Sequence, residues 1–305
     1  MHRLDQADPA NLKTSRRTLL AGGGALWGAA CAGRLVPGQR DTTQPDPRLA
    51  AVEASTGGRV GVFAFAVGSG AALAHRPDDR FAMCSTFKWV LAAAVLARID
   101  AGSLSLDQHL PFEATDLIDH SPVTRAHVAA GALTVAELAA AAVVVSDNAA
   151  ANLLLRALGG PAVLTEWIRS LGDPATRLDR AEPALNANVP GDLRDTTTPR
   201  AMARTLAQAL TGPPLTPPNR ERLLAWMKAC TTGRSRLRAG LPAAWDPGDK
   251  TGTGNNGAAG DVAIVFPPGG AAVVVAAYFS ETTADPDTRD AAFARIGRIV
   301  ADTFA

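Results

Sequence analysis

The chain has 305 residues, of which 47% are hydrophobic and only 5% aromatic, so most of its apolar residues are Ala, Val and Leu. This length and composition are typical of an ordinary soluble α/β or α+β protein with one large or two smaller compact units, and they exclude a disordered or fibrous chain. Thirty basic and twenty-nine acidic residues are interspersed along the sequence, which leaves no basic stripe of the kind that follows a nucleic-acid backbone.

The first 32 residues are predicted to form an export signal rather than part of the fold. Arg16 and Arg17 precede a Gly- and Ala-rich apolar run, and small residues suited to cleavage follow it. The run from Thr18 to Gly33 has 16 residues, fewer than a membrane-spanning helix needs. We therefore expect a twin-arginine-type signal and a periplasmic or secreted protein without stable membrane insertion. A lipid anchor at Cys31 and a basic disordered tail are the alternatives.

Strand patterns lie at both ends of the remaining chain, and helical patterns lie between them. Residues 57–77 predict two strands around a Gly-Ser-Gly turn. From Thr86 to about Cys230, apolar residues recur at helical spacing, and several of these segments end at a capping glycine. Residues 260–280 predict a hairpin with a Pro-Pro-Gly-Gly turn, and an amphipathic helix then closes the chain.

This order of elements predicts two structural units. Residues 46–83 and 230–305 are expected to form an α/β unit, into which an all-α unit, residues 84–229, is inserted. A cleft between two such units is a natural place for a small-molecule site. No internal repeat is visible in the sequence.

The first candidate for chemistry is Ser85, which heads a helical pattern in a strongly apolar segment and has Lys88 three positions later. Residues i and i+3 share a helix face, so the amine can lie beside the hydroxyl. A serine hydroxyl is a weak nucleophile that needs a base, and burial lowers the pKa of a lysine until its neutral amine can accept the serine proton. A Ser-x-x-Lys match is common by chance, and a capping serine beside a surface lysine is the structural alternative.

Two later stretches favour the catalytic interpretation of Ser85 and Lys88 over the structural one. Ser146, Asp147 and Asn148 stand at the junction of two helical patterns, and Lys250-Thr251-Gly252 is predicted at the start of a strand. Either triplet alone is an ordinary helix cap or turn. The three motifs in this order, across a strand–helices–strand layout, are the signature of class A β-lactamases and penicillin-binding proteins.

With these motifs the chain resembles the class A serine β-lactamases, over roughly residues 46–305. Residues 177–195 are similar to the omega loop of that family, with Glu182 and Asn186 at its Glu-x-x-x-Asn positions. Penicillin-binding proteins lack this carboxylate. The resemblance implies an antiparallel sheet flanked by helices with an inserted all-α domain, a monomer without metal or cofactor, and hydrolysis of penicillins or cephalosporins that confers antibiotic resistance.

The resemblance also implies a role for each motif residue in opening the lactam ring. Ser85 attacks the carbonyl, and the backbone N–H groups of Ser85 and Thr253 form the oxyanion hole. Ser146 relays a proton to the departing nitrogen. Lys88 and Lys250 supply the local positive field.

The carboxylate of the loop is implied in the second half of the reaction. Glu182 and Asn186 would hold and deprotonate the water that hydrolyses the acyl-serine ester, a general-base step that typically contributes about 10²- to 10⁴-fold. Whether Glu182 or Lys88 accepts the serine proton during acylation is disputed for the family and stays open. Arg180 and Asp195 match an ion pair inside the loop.

Anionic substrates require a cation and hydrogen-bond donors for their carboxylate. Lys250, Thr251 and Thr253 match part of the family's carboxylate pocket. Arg236 matches an arginine that reaches the same pocket, with a surface arginine as the alternative. Asn148 matches the residue that contacts the substrate's side-chain amide and that also bonds the lysine after the nucleophile.

The sequence departs from the family pattern at several positions. His120 stands where an aromatic gatekeeper is usual, so stacking against the substrate should be weaker or sensitive to pH. Ala181 replaces a bulky Trp, so we expect looser packing of the loop. Cys84 resembles a cysteine of carbapenem-hydrolysing members, but Gly254 occupies the partner position, and we infer no carbapenemase activity from it. Nothing in the sequence places the Cα atoms of Cys84 and Cys230 within the roughly 7 Å that a disulfide requires, so both are expected to be free or buried thiols.

Two other functions share part of this pattern. A D,D-peptidase acting on cell-wall peptides has three of the motifs but no use for Glu182 and Asn186. A β-lactam sensor that stays acylated usually carries spanning helices, which the sequence does not predict. A metal site is not indicated, because the five histidines, His2, His75, His109, His120 and His127, show no metalloprotease-like spacing.

Overall fold

A computed structural model describes residues 46–305, so the export signal predicted within residues 1–32 and Cys31 lie outside the described residues. The helices are α1 (Pro47–Thr56), α2 (Phe87–Asp100), α3 (Pro122–Ala126), α4 (Val135–Val144), α5 (Asn148–Leu158), α6 (Pro161–Ser170), α7 (Pro199–Thr211), α8 (Pro217–Lys228), α9 (Leu237–Gly240) and α10 (Pro286–Phe304). The strands are β1 (Arg59–Ala66), β2 (Ala72–His75), β3 (Phe81–Ala82), β4 (His109–Pro111), β5 (Ala132–Thr134), β6 (Thr196–Thr197), β7 (Asp246–Thr253), β8 (Ala259–Phe266) and β9 (Val273–Ser280).

One antiparallel sheet joins the two ends of the described chain. Its strand order is β2-β1-β9-β8-β7, so that Val62 of β1 lies opposite His75 of β2 on one side and Ala277 of β9 on the other. The hairpin predicted over residues 260–280 is confirmed as β8 and β9. Two short ribbons, β3-β6 and β4-β5, accompany this sheet. The predicted antiparallel sheet flanked by helices is therefore confirmed.

Both faces of the sheet are buried, because successive side chains of a strand point to opposite faces. Phe279 of β9 packs on one face in a core with Leu49 of α1, and it meets Phe293 of α10 edge to face with ring centroids 4.6 Å apart. Tyr278, the preceding residue, points to the other face and stacks on Phe81 at a centroid distance of 6.1 Å. The sheet is thus a middle layer, with α1, α9 and α10 on one side and the other helices on the opposite side.

Helix α2 is the buried centre of the helical part. Every residue from Phe87 to Leu96 is buried, and α4, α5, α6 and α8 pack against this helix. The helical patterns predicted between residues 86 and 230 are confirmed as α2 and α4–α8. The sheet and the helices belong to one compact unit, so the boundaries placed at residues 83/84 and 229/230 stay predictions. Within residues 46–305, every helix is too short or too polar to cross a bilayer.

The structure differs from the sequence predictions at two elements. Helix α1 was not predicted, although Asp46 caps it with a bond to the Arg48 N–H and Pro47 occupies its first turn, which is a recognisable start signal. Strand β7 has eight residues and begins at Asp246, so Lys250 is its fifth residue, and the prediction that Lys250 begins the strand is wrong. The preceding Asp-Pro-Gly-Asp has the composition of a turn, but pairing with β8 draws it into the sheet.

Candidate active site

Ser85 lies in a single 3₁₀ turn, Cys84–Thr86, immediately before α2. Strand β7 passes close to this turn, because a Cβ on Gly252 would lie 3.0 Å from the Ser85 nitrogen and 2.8 Å from the Met83 carbonyl oxygen. The Ser85 hydroxyl is half-buried and donates to Glu182 Oε1 over 3.2 Å. The nucleophile candidate and the acid of the long loop (residues 177–195) are therefore in direct contact.

Lys88 lies in the first turn of α2 and is fully buried, so the alternative of a surface lysine is wrong. Its amine donates to the Ser146 carbonyl oxygen over 2.8 Å, bonds Asn148 Oδ1, and pairs with Glu182 Oε1 at 3.1 Å. Desolvation lowers the pKa of Lys88, and the nearby carboxylate of Glu182 opposes this shift. Glu182 Oε1 therefore contacts both Ser85 and Lys88, so the two candidate acceptors of the Ser85 proton, Glu182 and Lys88, lie side by side.

Two asparagines hold Glu182, one by its side chain and one by its backbone. Its side chain is fully buried, and Asn186 donates from Nδ2 to the second carboxylate oxygen, Oε2, over 2.5 Å. Its backbone N–H donates to Asn152 Oδ1 over 3.0 Å, and Asn152 Nδ2 donates back to its carbonyl oxygen over 2.9 Å. Sequence reasoning missed Asn152, although its position four residues after Asn148 on α5 places both amides on one helix face.

The long loop is braced by the predicted ion pair. Arg180 Nε lies 2.5 Å from Asp195 Oδ2, and Asp195 is fully buried. The other oxygen of this carboxylate accepts the backbone N–H groups of Asp179 and Arg180 over 2.7 and 2.9 Å. The Asp195 carbonyl in turn accepts the Met83 N–H over 2.9 Å, which ties the loop to the turn that carries Ser85. Ala181 lies half-buried against the helical core.

Ser146 stands between α4 and α5 with a left-handed backbone, φ 61°. Asp147 fixes this junction by capping α5, because its side chain accepts the Ala150 N–H over 2.9 Å. Two buried amines surround the Ser146 hydroxyl, with Lys88 Nζ at 3.3 Å and Lys250 Nζ at 3.1 Å. Burial lowers the pKa of Lys250 to about 8, and the charge of Lys88 acts in the same direction.

Arg236 lies beneath the end of β7 and is only 9% exposed, so the surface-arginine alternative is wrong. Its guanidinium donates to the carbonyl oxygens of Gly252 and Gly260 over 2.8 and 2.9 Å and to Thr253 Oγ1 over 2.8 Å. Asp290 of α10 accepts from Arg236 Nε over 2.9 Å. The guanidinium of Arg236 is thus fixed next to the hydroxyl of Thr253, and the sequence predicts that both residues belong to the carboxylate pocket.

Thr251 has a neighbour that sequence analysis did not single out. The hydroxyls of Thr251 and Thr232 lie 2.5 Å apart, and Thr232 also lines the cleft. Thr232 lies between α8 and α9, where no helical or strand repeat in the sequence marks it. His120, which also lines the cleft, is exposed, has φ 56°, and places Nε2 2.9 Å from the Val145 carbonyl oxygen.

These residues surround one cleft of about 280 Å³. It is lined by Ser85, His120, Ser146, Asn148, Asn186, Thr232, Arg236, Thr251, Gly252 and Thr253. Lys88, Lys250 and Glu182 are buried beneath its floor, within hydrogen-bond distance of the lining residues. Every site residue predicted from the sequence therefore lines this cleft or contacts a residue that does.

Two further properties of the described residues bear on the chemistry. Among residues 46–305, no group of three or more His, Cys, Asp or Glu side chains is arranged to hold a metal ion. Cys84 and Cys230 are both buried and carry free thiols. Burial raises the pKa of Cys84 to about 12, with the Glu182 carboxylate acting in the same direction.

Comparison with known sequences gives a consistent result. The model of the Beta-lactamase enzyme family matches residues 44–304. Beta-lactamase AST-1 of Nocardia asteroides is 47% identical over 257 residues, covering 84% of this chain and 83% of that protein. The β-lactamase of Streptomyces albus G is 41% identical over 313 residues, covering 97% and 99%. Beta-lactamase CTX-M-8 of Citrobacter amalonaticus is 44% identical and covers 84% and 88%.

Solved structures agree with these sequences. The ancestral class A β-lactamase GNCA superposes with a TM-score of 0.84 at 54% identity, and the match covers 86% of this chain and 100% of that protein. A β-lactamase from Xanthomonas campestris superposes with a TM-score of 0.82 at 48% identity, covering 84% and 96%. Both similarities extend over nearly the whole described part of the chain.

Proposed function

Because this chain belongs to the class A β-lactamases, we propose that it opens the lactam amide of penicillins and cephalosporins through an acyl ester on Ser85. The observation that supports this mechanism best is the buried meeting point of Ser85, Lys88 and Glu182 at one carboxylate oxygen. A hydroxyl in contact with a carboxylate and a desolvated amine can lose its proton as it attacks.

In acylation, the Ser85 oxygen attacks the lactam carbonyl while its proton passes to Glu182 Oε1, the group to which the hydroxyl donates. The tetrahedral oxyanion is bound by the backbone N–H groups of Ser85 and Thr253, at the place where β7 approaches the serine turn. One such donor typically lowers the barrier by about 3 kcal/mol. The negative charge therefore develops between fixed dipoles rather than in water.

Ring opening requires a proton on the departing nitrogen. Ser146 supplies it from its hydroxyl, because two buried amines donate to this oxygen and can replace the proton that it gives up. Lys88, once it has given a proton to Ser146, takes up the Ser85 proton from Glu182 Oε1 across their 3.1 Å contact, so Glu182 is a carboxylate again before deacylation. Lys250, Thr251, Thr253 and the adjacent guanidinium of Arg236 bind the substrate carboxylate at the end of β7.

Deacylation depends on the side of the Glu182 carboxylate that faces Asn186. Asn186 Nδ2 bonds Glu182 Oε2, and Asn186 Oδ1 is a buried acceptor without a hydrogen-bond partner among the described residues. A hydrolytic water can donate one hydrogen to Asn186 Oδ1 and give the other to Glu182 as it attacks the ester. As the bond to the Ser85 oxygen breaks, Glu182 returns this proton to that oxygen, to which it lies 3.2 Å away, and the free hydroxyl is restored. All the reacting groups come from one chain, so we propose that a monomer is active.

The test is to follow a chromogenic cephalosporin and a penicillin with purified protein while mass spectrometry monitors the adduct on Ser85. We expect rapid acylation and steady turnover, loss of both with Ser85→Ala, and a trapped acyl-enzyme with Glu182→Gln. Glu221→Gln, which changes an exposed acid of α8, is the matched control and should turn over normally. Undiminished turnover by Glu182→Gln would contradict the deacylation step. A long-lived adduct on the unchanged protein would favour a sensor or a D,D-peptidase.

Export and resistance are proposed from the N-terminal sequence, where Arg16 and Arg17 precede the apolar run. Expression in a susceptible bacterium should raise the penicillin concentration needed to stop growth. Replacing both arginines by lysine should abolish that protection while the activity of cell lysates persists. Unchanged protection by the double variant would contradict twin-arginine export.

A further inference from the structure

The long loop is fastened near its middle to the turn between β7 and β8 by two asparagine side chains. Asn188 Nδ2 lies 3.3 and 3.1 Å from the carbonyl oxygens of Asn255 and Asn256, and 3.2 Å from Ser280 Oγ. Asn256 Nδ2 reaches back to the carbonyl oxygens of Ala187 and Asn188, at 3.2 and 3.0 Å. Each segment therefore donates an amide to the backbone of the other.

The backbone of both residues is shaped for this exchange. Asn188 and Asn256 have φ values of 43° and 49°, in the left-handed region that asparagine tolerates better than most residues. The turn itself is anchored, because the Glu281 N–H donates to the Asn256 carbonyl oxygen over 2.8 Å. The loop is thus attached to a fixed part of the sheet.

The same turn touches Asn186 directly. The Asn255 N–H donates to the Asn186 carbonyl oxygen over 2.9 Å. A Cβ on Gly254 would lie 2.7 Å from that oxygen, so glycine allows the close approach. Asn186 in turn holds Glu182 Oε2. A continuous set of contacts therefore runs from the two asparagines to the carboxylate.

We propose that Asn188 and Asn256 form a two-way latch that positions Asn186 and Glu182 for hydrolysis of the acyl-enzyme. Neither residue lines the catalytic cleft, so they are positioning residues rather than catalytic ones. The proposal rests on the acyl-serine mechanism given above.

The latch should affect deacylation more than acylation. Glu182 Oε1, which contacts Ser85 and Lys88, is held independently by Lys88 and by the clamp of Asn152 on the Glu182 backbone. Glu182 Oε2 depends on Asn186. Opening the latch should therefore slow deacylation and leave acylation nearly unchanged.

The test measures acylation and deacylation separately, by rapid mixing and by decay of the acyl-enzyme in mass spectra. Asn188→Gly and Asn256→Gly remove each amide, and glycine accepts the left-handed backbone without strain. We expect each to slow deacylation about tenfold, the effect of losing a hydrogen bond or two, and the double variant to slow it further. Asn188→Asp and Asn256→Asp keep the shape of the side chain but replace its donating amide by an acceptor. Each should therefore slow deacylation as the corresponding glycine variant does. Val189→Ala, at a neighbouring side chain that is 51% exposed, is the matched control.

Counting active sites by the amplitude of the acylation burst separates positioning from folding. A purely structural role would lower that amplitude or the melting temperature and leave the ratio of the two rate constants unchanged. Unchanged deacylation in the folded double variant, or equal loss in both steps, would overturn the latch. If neither the unchanged protein nor Glu182→Gln formed an acyl-enzyme, the proposed mechanism itself would fail instead.

Discussion

Lys250 should set the alkaline limit of activity. The amine of this β7 residue is fully buried, and desolvation lowers its pKa from 10.5 to about 8. Below that pH it is a cation beside the carboxylate pocket, and above it the amine is neutral and no longer attracts an anionic substrate. We therefore expect kcat/KM for a penicillin to be highest below pH 8 and to fall above it.

The size of the fall follows from the fraction of charged amine. Half of the Lys250 side chains are charged at pH 8 and about one tenth at pH 9, so kcat/KM should drop about fivefold between these two pH values. Lys250→Arg keeps the positive charge, because a guanidinium stays protonated throughout this pH range. The variant should be less active, since the bulkier fork fits a buried site poorly, but its alkaline limit should move upwards.

Lys88 is the rival source of this limit, because burial lowers the pKa of its amine as well. The assay is the pH profile of kcat/KM for the unchanged protein and for Lys250→Arg. Lys228→Arg, at a partly exposed lysine paired with Asp246, is the control and should leave the profile unchanged. If Lys250→Arg kept its fall near pH 8, the assignment to Lys250 would be wrong and Lys88 would be the titrating group.

Two further predictions concern stability and the thiols. Asn152→Ala removes both hydrogen bonds to the Glu182 backbone and should lower the free energy of unfolding by about 1–3 kcal/mol in denaturant titration, with Asn152→Asp intermediate. An unchanged transition would show that the clamp is not a stabilising contact. Cys84 and Cys230 should not react with a thiol reagent until the protein unfolds, because both are buried and burial raises both pKa values. Peptide mapping after a short exposure of the native protein would reveal any labelling.

The elements that carry the site were largely predictable, because their signals are local. Strands β8 and β9 alternate between two buried faces and have a clear turn between them, and α2 is apolar over nearly three turns. The residues able to do chemistry were predictable by type and order along the chain. Strand β7 was misplaced because Pro247 and Gly248 favour a turn locally, whereas the hydrogen bonds to β8 that override this preference come from residues further along the chain.

The contacts that make the residues a site were not predictable, because they are formed by tertiary packing. Ser85 and Glu182 are separated by 97 residues, and no pattern in either segment specifies that one hydroxyl donates to one oxygen of the other. Asn188 and Asn256 each have the ordinary appearance of a turn residue. Their reciprocal bonds exist only because the loop and the turn are brought side by side by the sheet and the helical core.

The burial of two amines places stability and catalysis in opposition at this site. Because the pKa of Lys250 is about 8 in the folded protein and 10.5 as a free side chain, the unfolded chain binds more protons between these values, and the free energy of unfolding rises with pH across that window. Below pH 8 the folded protein bears the full free-energy cost of burying the charged Lys250 amine, about 3 kcal/mol. The lowered pKa of Lys88 changes the stability in the same direction. The same exclusion of water strengthens the field of both amines at the Ser146 hydroxyl, where the reaction needs it. A buried helix and a sheet covered on both faces supply the stability that allows both charges to remain there.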